Sequence, residues 1–102
     1  METRNFDDSI EKFIESLEKQ TIAKVFHAID VLEEFGPRLG MPHSKKIGDS
    51  LFELRIRGAQ EIRIFYTFHR SFIVFLHGFV KKSEKTPKKE IRVALQRVRA
   101  LD

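Results

Sequence analysis

Arg55, Arg57 and Arg63, followed by Lys81, Lys82 and Lys85, group cations in a way that suits the binding of phosphate. Guanidinium forks contact phosphate oxygens in pairs. The absence of a helix-turn-helix pattern favours RNA over duplex DNA. Phe65 alternates onto the same side as Arg63, where an aromatic ring can stack on a base. Cleaving RNA by attack of a ribose 2′-OH on the adjacent phosphate takes a base, an acid for the leaving oxygen and cations for the developing charge. Arginine supplies only the last, because its pKa above about 12 keeps it protonated. A lysine crowded by other cations can give up its proton more readily, and the candidates are Lys81, Lys82 and Lys85. His77 is the conventional proton carrier if its ring reaches that face. Otherwise it is a histidine buried among Phe75 and Phe79.

Other chemistries lack their motifs. The chain has no GxxxxGK, GxGxxG or HExxH string and no serine in a nucleophile elbow. His27, His43, His69 and His77 are scattered, with no carboxylate at ligand spacing, and no metal site is expected. Zero cysteines exclude disulfides and thiolate ligands.

The elements that position the cations are strands. In Leu51 to Arg57, Phe52, Leu54 and Ile56 alternate with Glu53, Arg55 and Arg57, the period of a strand with one buried face. After Gly58 to Glu61, alternation resumes, with Ile62, Ile64, Tyr66 and Phe68 opposite Arg63, Phe65 and Thr67; Tyr66 reads as a core residue. A hairpin brings Arg63 beside Arg55 and Arg57. The third segment, Phe72 to Phe79, is apolar at nearly every position, as in a strand covered on both faces or placed centrally.

Helices flank this meander. Asp7, Asp8 or Ser9 caps a first helix carrying Ile10, Phe13, Ile14 and Leu17 and ending near Lys19. Thr21 is the predicted cap of a second, whose buried stripe is Ile22, Val25, Phe26, Ile29, Leu32 and Phe35, stopped by Gly36 and Pro37. His27 reads as a packing or surface residue. Residues 36–50 form a loop with an edge strand around Ser44 to Ile47, where Lys45 and Lys46 discourage further pairing. Thr86 and Pro87 predict the cap and first residue of a final helix with Ile91, Ala94, Leu95, Val98 and Leu101 on one face. This order implies a single α+β domain over residues 1–102: an N-terminal helical hairpin, an antiparallel sheet of three to four strands and a C-terminal helix, with the helices on one face of the sheet and the other free.

The net charge of +4 is unevenly spread. Residues 1–35 hold 4 Lys and Arg against 9 Asp and Glu, whereas residues 36–102 hold 15 against 6. A segregated basic surface is the footprint of polyanion binding. With no long apolar run and no signal segment, a soluble, cytoplasmic protein without membrane contact is expected.

The strings Glu34-Phe-Gly-Pro-Arg-Leu-Gly-Met-Pro-His-Ser-Lys-Lys-Ile47, Leu51 to Arg57, Arg63-Ile-Phe-Tyr66 and, above all, HGFxKKxxKTPxxE from His77 to Glu90 resemble the phage-derived Gp49-like, HigB-type branch of the RelE/ParE toxin superfamily. The resemblance covers about two thirds of the chain. It implies a toxin of a type II toxin-antitoxin system, an endoribonuclease that cleaves mRNA on the translating ribosome without a metal or other cofactor. It also implies a helix-turn-helix, HigA-like antitoxin, which represses operator DNA in complex with the toxin. Carried over by position, the phosphate-binding and catalytic places fall on Arg55, Arg63, Lys81 and Lys82, with Lys85 in the same string and Arg57 nearby. A tyrosine that stacks on a base at the start of the last helix in some relatives is absent here, with Lys88 at about that place, so stacking comes from elsewhere, with Phe65 the candidate, or is weaker. Gyrase-directed ParE-like toxins belong to the same superfamily, and a non-catalytic nucleic-acid binder is the other alternative. The acidic N-terminal hairpin is the predicted antitoxin-docking side.

Overall fold

The structure, a computed structural model, describes residues 1–101. Its elements run β1 (Glu2–Asn5), α1 (Asp8–Glu15), α2 (Lys19–Phe35), a short 3-10 turn (Gly36–Arg38), β2 (Ser44–Gly48), β3 (Leu51–Ile56), β4 (Ile62–His69), β5 (Phe72–Val80) and α3 (Lys88–Ala100). The five strands form one sheet in the order β1-β5-β4-β3-β2, antiparallel except for the β1/β5 pair. The predicted α+β order holds, with β2 as the edge strand.

β1 was not legible. Glu2, Thr3, Arg4 and Asn5 carry no apolar alternation, and they become a strand by main-chain pairing along β5. Arg4 lies 3.9 Å above the Phe72 ring, and the Phe6 N–H donates to Phe75 O at 2.8 Å.

The helices do not share one face, which corrects the expected layering. α1 and α2 cover one side through Ile10, Ile14, Val25 and Leu32, with Leu17 of the turn between them, packed on Leu54, Ile64, Tyr66, Ile73 and Phe75. α3 covers the other, its Ala94 packed among Leu51, Phe65, Val74, Leu76 and Phe79. Double coverage is what the continuous apolar run of β5 requires, because both rows of side chains must leave water. Gly78 keeps the first layer close. A Cβ there would stand 2.6 Å from the Phe13 ring of α1, so the ring lies on bare backbone.

A bulge in β5 sets the other layer. Phe65 pairs with His77 and Tyr66 with Phe75, which leaves Leu76 as an extra residue. Leu76 packs under α3, and Arg97 of α3 donates to its carbonyl at 2.6 Å.

Local capping departs from the predicted positions. Asp7 does cap α1 through Ser9 N at 2.9 Å. α2, however, starts at Lys19, because Gln60 Oε1 accepts the Glu18 N–H at 3.1 Å; Thr21 is buried within the helix. Gly36 ends α2 at φ 56°, a conformation that other residues rarely adopt. Phe26 and Phe35, assigned to the buried stripe, are 54% and 44% exposed. Phe26 instead lines an open groove with Thr3, Asn5 and Phe75.

Tyr66 is buried, and its hydroxyl lies 2.5 Å from Ser44 Oγ. Burial raises its pKa from the ordinary 10.0, an effect that the Ser44 hydrogen bond partly opposes. The neutral ring is therefore the form that folding favours. That contribution is complete below the unfolded value near pH 10 and disappears as pH rises through the folded one. Tyr66→Phe is expected to flatten the loss of stability above pH 10. At neutral pH it should cost about 1–2 kcal/mol, because Ser44 loses its partner. Urea titrations at pH 7 and in the alkaline range check both.

Candidate nucleic-acid interface

Pairing of β3 with β4 sets Arg55 directly opposite Arg63, and Glu53 opposite Phe65. Arg55, Arg63 and Glu53 occupy the side of the sheet that carries α3, beyond the start of that helix. Like-charged guanidiniums facing each other repel unless a counter-ion lies between them. Glu53 supplies it: its Oε1 is 3.6 Å from Arg63 Nε and 3.8 Å from Arg55 Nε, and Thr86 donates to its Oε2 at 3.1 Å. Thr86 is thus drawn from the predicted capping role; Pro87 occupies the cap position and α3 begins at Lys88.

Arg63 is only 2% exposed. Its Nη1 donates to Ile62 O at 3.0 Å and lies 3.9 Å from Glu61 Oε2. Burial, and then the neighbouring Arg55, pull its pKa below the ordinary arginine range, while Glu53 and Glu61 pull it back. Nε of Arg55, Nε of Arg63 and Oε2 of Glu61 are buried without hydrogen-bond partners. Both Nε atoms face the Glu53 carboxylate at ion-pair rather than hydrogen-bond distance, so one buried carboxylate is shared between two guanidiniums.

At the end of β5, the Lys81 N–H donates to Glu61 O at 2.7 Å, which fixes the chain as it leaves the sheet. Lys81 Nζ donates to Glu84 O at 2.7 Å, folding the following loop back. The result is an open cavity of about 450 Å³ lined by Arg55, Arg57, Arg63, Lys81 and Lys82, with Glu61, Ser83 and Glu84. Five cationic side chains therefore converge against two carboxylates, with Glu53 beneath.

The remaining sequence-selected residues lie elsewhere. Lys85 is exposed in the loop and Lys88 is exposed at the start of α3; neither lines the cavity. Phe65 faces the arginine side, as alternation predicts, but it is 0% exposed because α3 covers it, so it offers no ring to a base. His77 reaches the same side through the bulge, but its Nε2 lies 3.0 Å from Glu90 Oε1 in the first turn of α3. It does not line the cavity. Glu53, Glu61 and Thr86 were missed as parts of this cluster. Glu53 was within reach, since it shares the strand face of Arg55 two residues away. Among the described residues, no group of three or more His, Asp or Glu is placed to hold a metal ion, and no helix is long and apolar enough to cross a membrane.

A Mycobacterium tuberculosis protein named "Putative toxin HigB3" is 40% identical over 75 residues, which cover 68% of this chain and 65% of the relative. The shared stretch thus spans just under two thirds of that protein. The family described as "Phage derived protein Gp49-like (DUF891)" matches residues 12–99. That span takes in α2, all strands from β2 to β5, every cation of the cavity and most of α3, and the chain belongs to the phage-derived Gp49-like family.

Proposed function

We propose that the protein is the toxin of a toxin-antitoxin module and an endoribonuclease that cuts mRNA on the translating ribosome in the cytoplasm, held in check by an antitoxin partner. The observation that carries this reading is the cavity itself: five cations, with Arg55 and Arg63 set opposite each other by strand pairing, at the open end of a sheet in a Gp49-like chain. The name of the mycobacterial relative supports the toxin role. In the proposed reaction Arg63 and Arg55 bind the scissile phosphate. The 2′-oxygen attacks phosphorus and the bond to the 5′-oxygen breaks, leaving a 2′,3′-cyclic phosphate and a 5′-hydroxyl. The guanidiniums offset charge that grows on the phosphoryl oxygens. In this reading Lys81 and Lys82, which line the cavity, take the 2′-OH proton and return one to the leaving oxygen.

The test is translation of a defined mRNA in vitro with added protein, mapping 5′ ends by primer extension beside a tube of naked mRNA. New ends only where ribosomes are present are expected. No new ends in either tube, with the protein folded, would overturn the nuclease reading and turn attention to gyrase or to binding without cleavage.

A further inference from the structure

Arg55 and Arg57 do not belong to the central cavity alone. They are also one wall of a second groove, of about 390 Å³, between α2 and β3. Its other cationic or imidazole groups are Lys24 and His27 from α2 and His43 from the loop before β2. No carboxylate lines it; Asp30, Glu33 and Glu34 of the same helix do not take part. The acidic character of residues 1–35 thus stops at this edge of α2. By contrast, the groove between β1, α1 and α2 is lined by Glu11 and Glu15 and by no cation.

The floor is apolar, formed by Ala28, Val31 and Ile56, and the volume is that of a small-ligand site. An apolar floor with cations along one rim matches a nucleotide, whose base is a flat apolar face and whose phosphate is an anion. Lys24 reaches over from α2 to the shared wall, its Nζ 3.5 Å from Arg57 O. Gly58 leaves it the room, since a Cβ there would stand 2.5 Å from that nitrogen.

We propose that the α2/β3 groove is a second nucleotide subsite, taking the base and phosphate of an mRNA nucleotide next to the phosphodiester held in the central cavity. The occupant follows from the shared wall: the two concavities open on opposite faces of the sheet but both are lined by Arg55 and Arg57, so a strand that turns past the end of β3 from one to the other keeps these two guanidiniums as partners. This proposal rests on the RNA-binding part of the proposed function, and not on cleavage.

The probe is a fluorescein-labelled 2′-O-methyl RNA hexamer, which has no 2′-OH to attack, titrated by anisotropy at several salt concentrations. Lys24 and His27 are exposed, so their reversal leaves the core intact. Lys24→Glu and His27→Glu are each expected to weaken binding about tenfold, and Lys24→Glu to lower the salt slope by about 0.7 for one lost phosphate contact. The same reversal on α1, Lys12→Glu, is expected to change neither. Unchanged hexamer affinity with weakened binding to ribosomes stripped of mRNA would overturn the proposal in favour of ribosomal RNA. Unchanged affinity for both would overturn it in favour of a protein partner. A wild-type chain that binds no hexamer overturns the proposal outright. A chain that binds as expected but never cuts mRNA overturns only the nuclease reading.

Discussion

Arg63→Ala is expected to lower ribosome-dependent cleavage by about 10²–10³-fold, the scale seen when a charge-stabilising donor is removed. It should also cost about 3–5 kcal/mol of stability, because removing one partner strands a buried charge. The stranded group is Glu53, 3% exposed, which would keep only Arg55 at 3.8 Å and the Thr86 hydroxyl at 3.1 Å. Two effects from one substitution need separating. Arg63→Met combined with Glu53→Gln removes both charges and keeps side chains of similar length. Because Arg55 then loses its carboxylate, that pair is expected to recover part of the lost stability and none of the cleavage. Urea denaturation reads the first quantity and primer extension on translated mRNA the second. A folded Arg63→Ala protein that cuts like wild type would remove Arg63 from the proposed mechanism, while equal recovery of both quantities in the double variant would show its role to be structural.

This cluster also marks how far the sequence could be read. Alternation from Leu51 to Arg57 and from Ile62 to Phe68 implies two faces and puts Glu53, Arg55, Arg63 and Phe65 on one of them, as the strand pairing has it. It carries no information on what lies above that face. Coverage depends on where α3 returns, and an amphipathic helix fits either side of a sheet until the connection is built. The apolar run of β5 did signal that both sides were covered. Taken seriously, it argues against a free face. The β5 bulge, which turns His77 and Leu76 to the same side, leaves no local mark in the sequence. Thr86 shows the opposite failure. Its capping signal is strong locally, but the buried Glu53 carboxylate is the better partner, and tertiary structure took the hydroxyl. β1 was unreadable for a third reason: its strand is made by backbone pairing with β5 and not by a buried side-chain row.

Phe65 is where that difference between a face and its coverage has the largest measurable consequence. Its ring is 5.6 Å from that of Phe79, centroid to centroid, and sits with Leu51 and Leu76 beneath Ala94 of α3. Phe65→Ala is expected to cost about 3–5 kcal/mol, the scale of a Phe-to-Ala cavity in a core that cannot fully collapse. For a chain of this size that is a fall in Tm of about 4–8 °C for each kcal/mol. Phe65→Leu, closer in volume and still apolar, should cost about 1 kcal/mol. The two functions proposed for an aromatic ring separate in the leucine variant. A ring that stacked on a base would lose about 1–3 kcal/mol of RNA affinity on becoming leucine, roughly a 5- to 150-fold weakening. A ring enclosed by α3 loses none. Hexamer affinity and cleavage by Phe65→Leu are therefore expected to match wild type well below its Tm. A large loss of affinity in a stable Phe65→Leu protein would mean that α3 lifts to admit RNA, exposing the face that alternation alone assigns to the ligand.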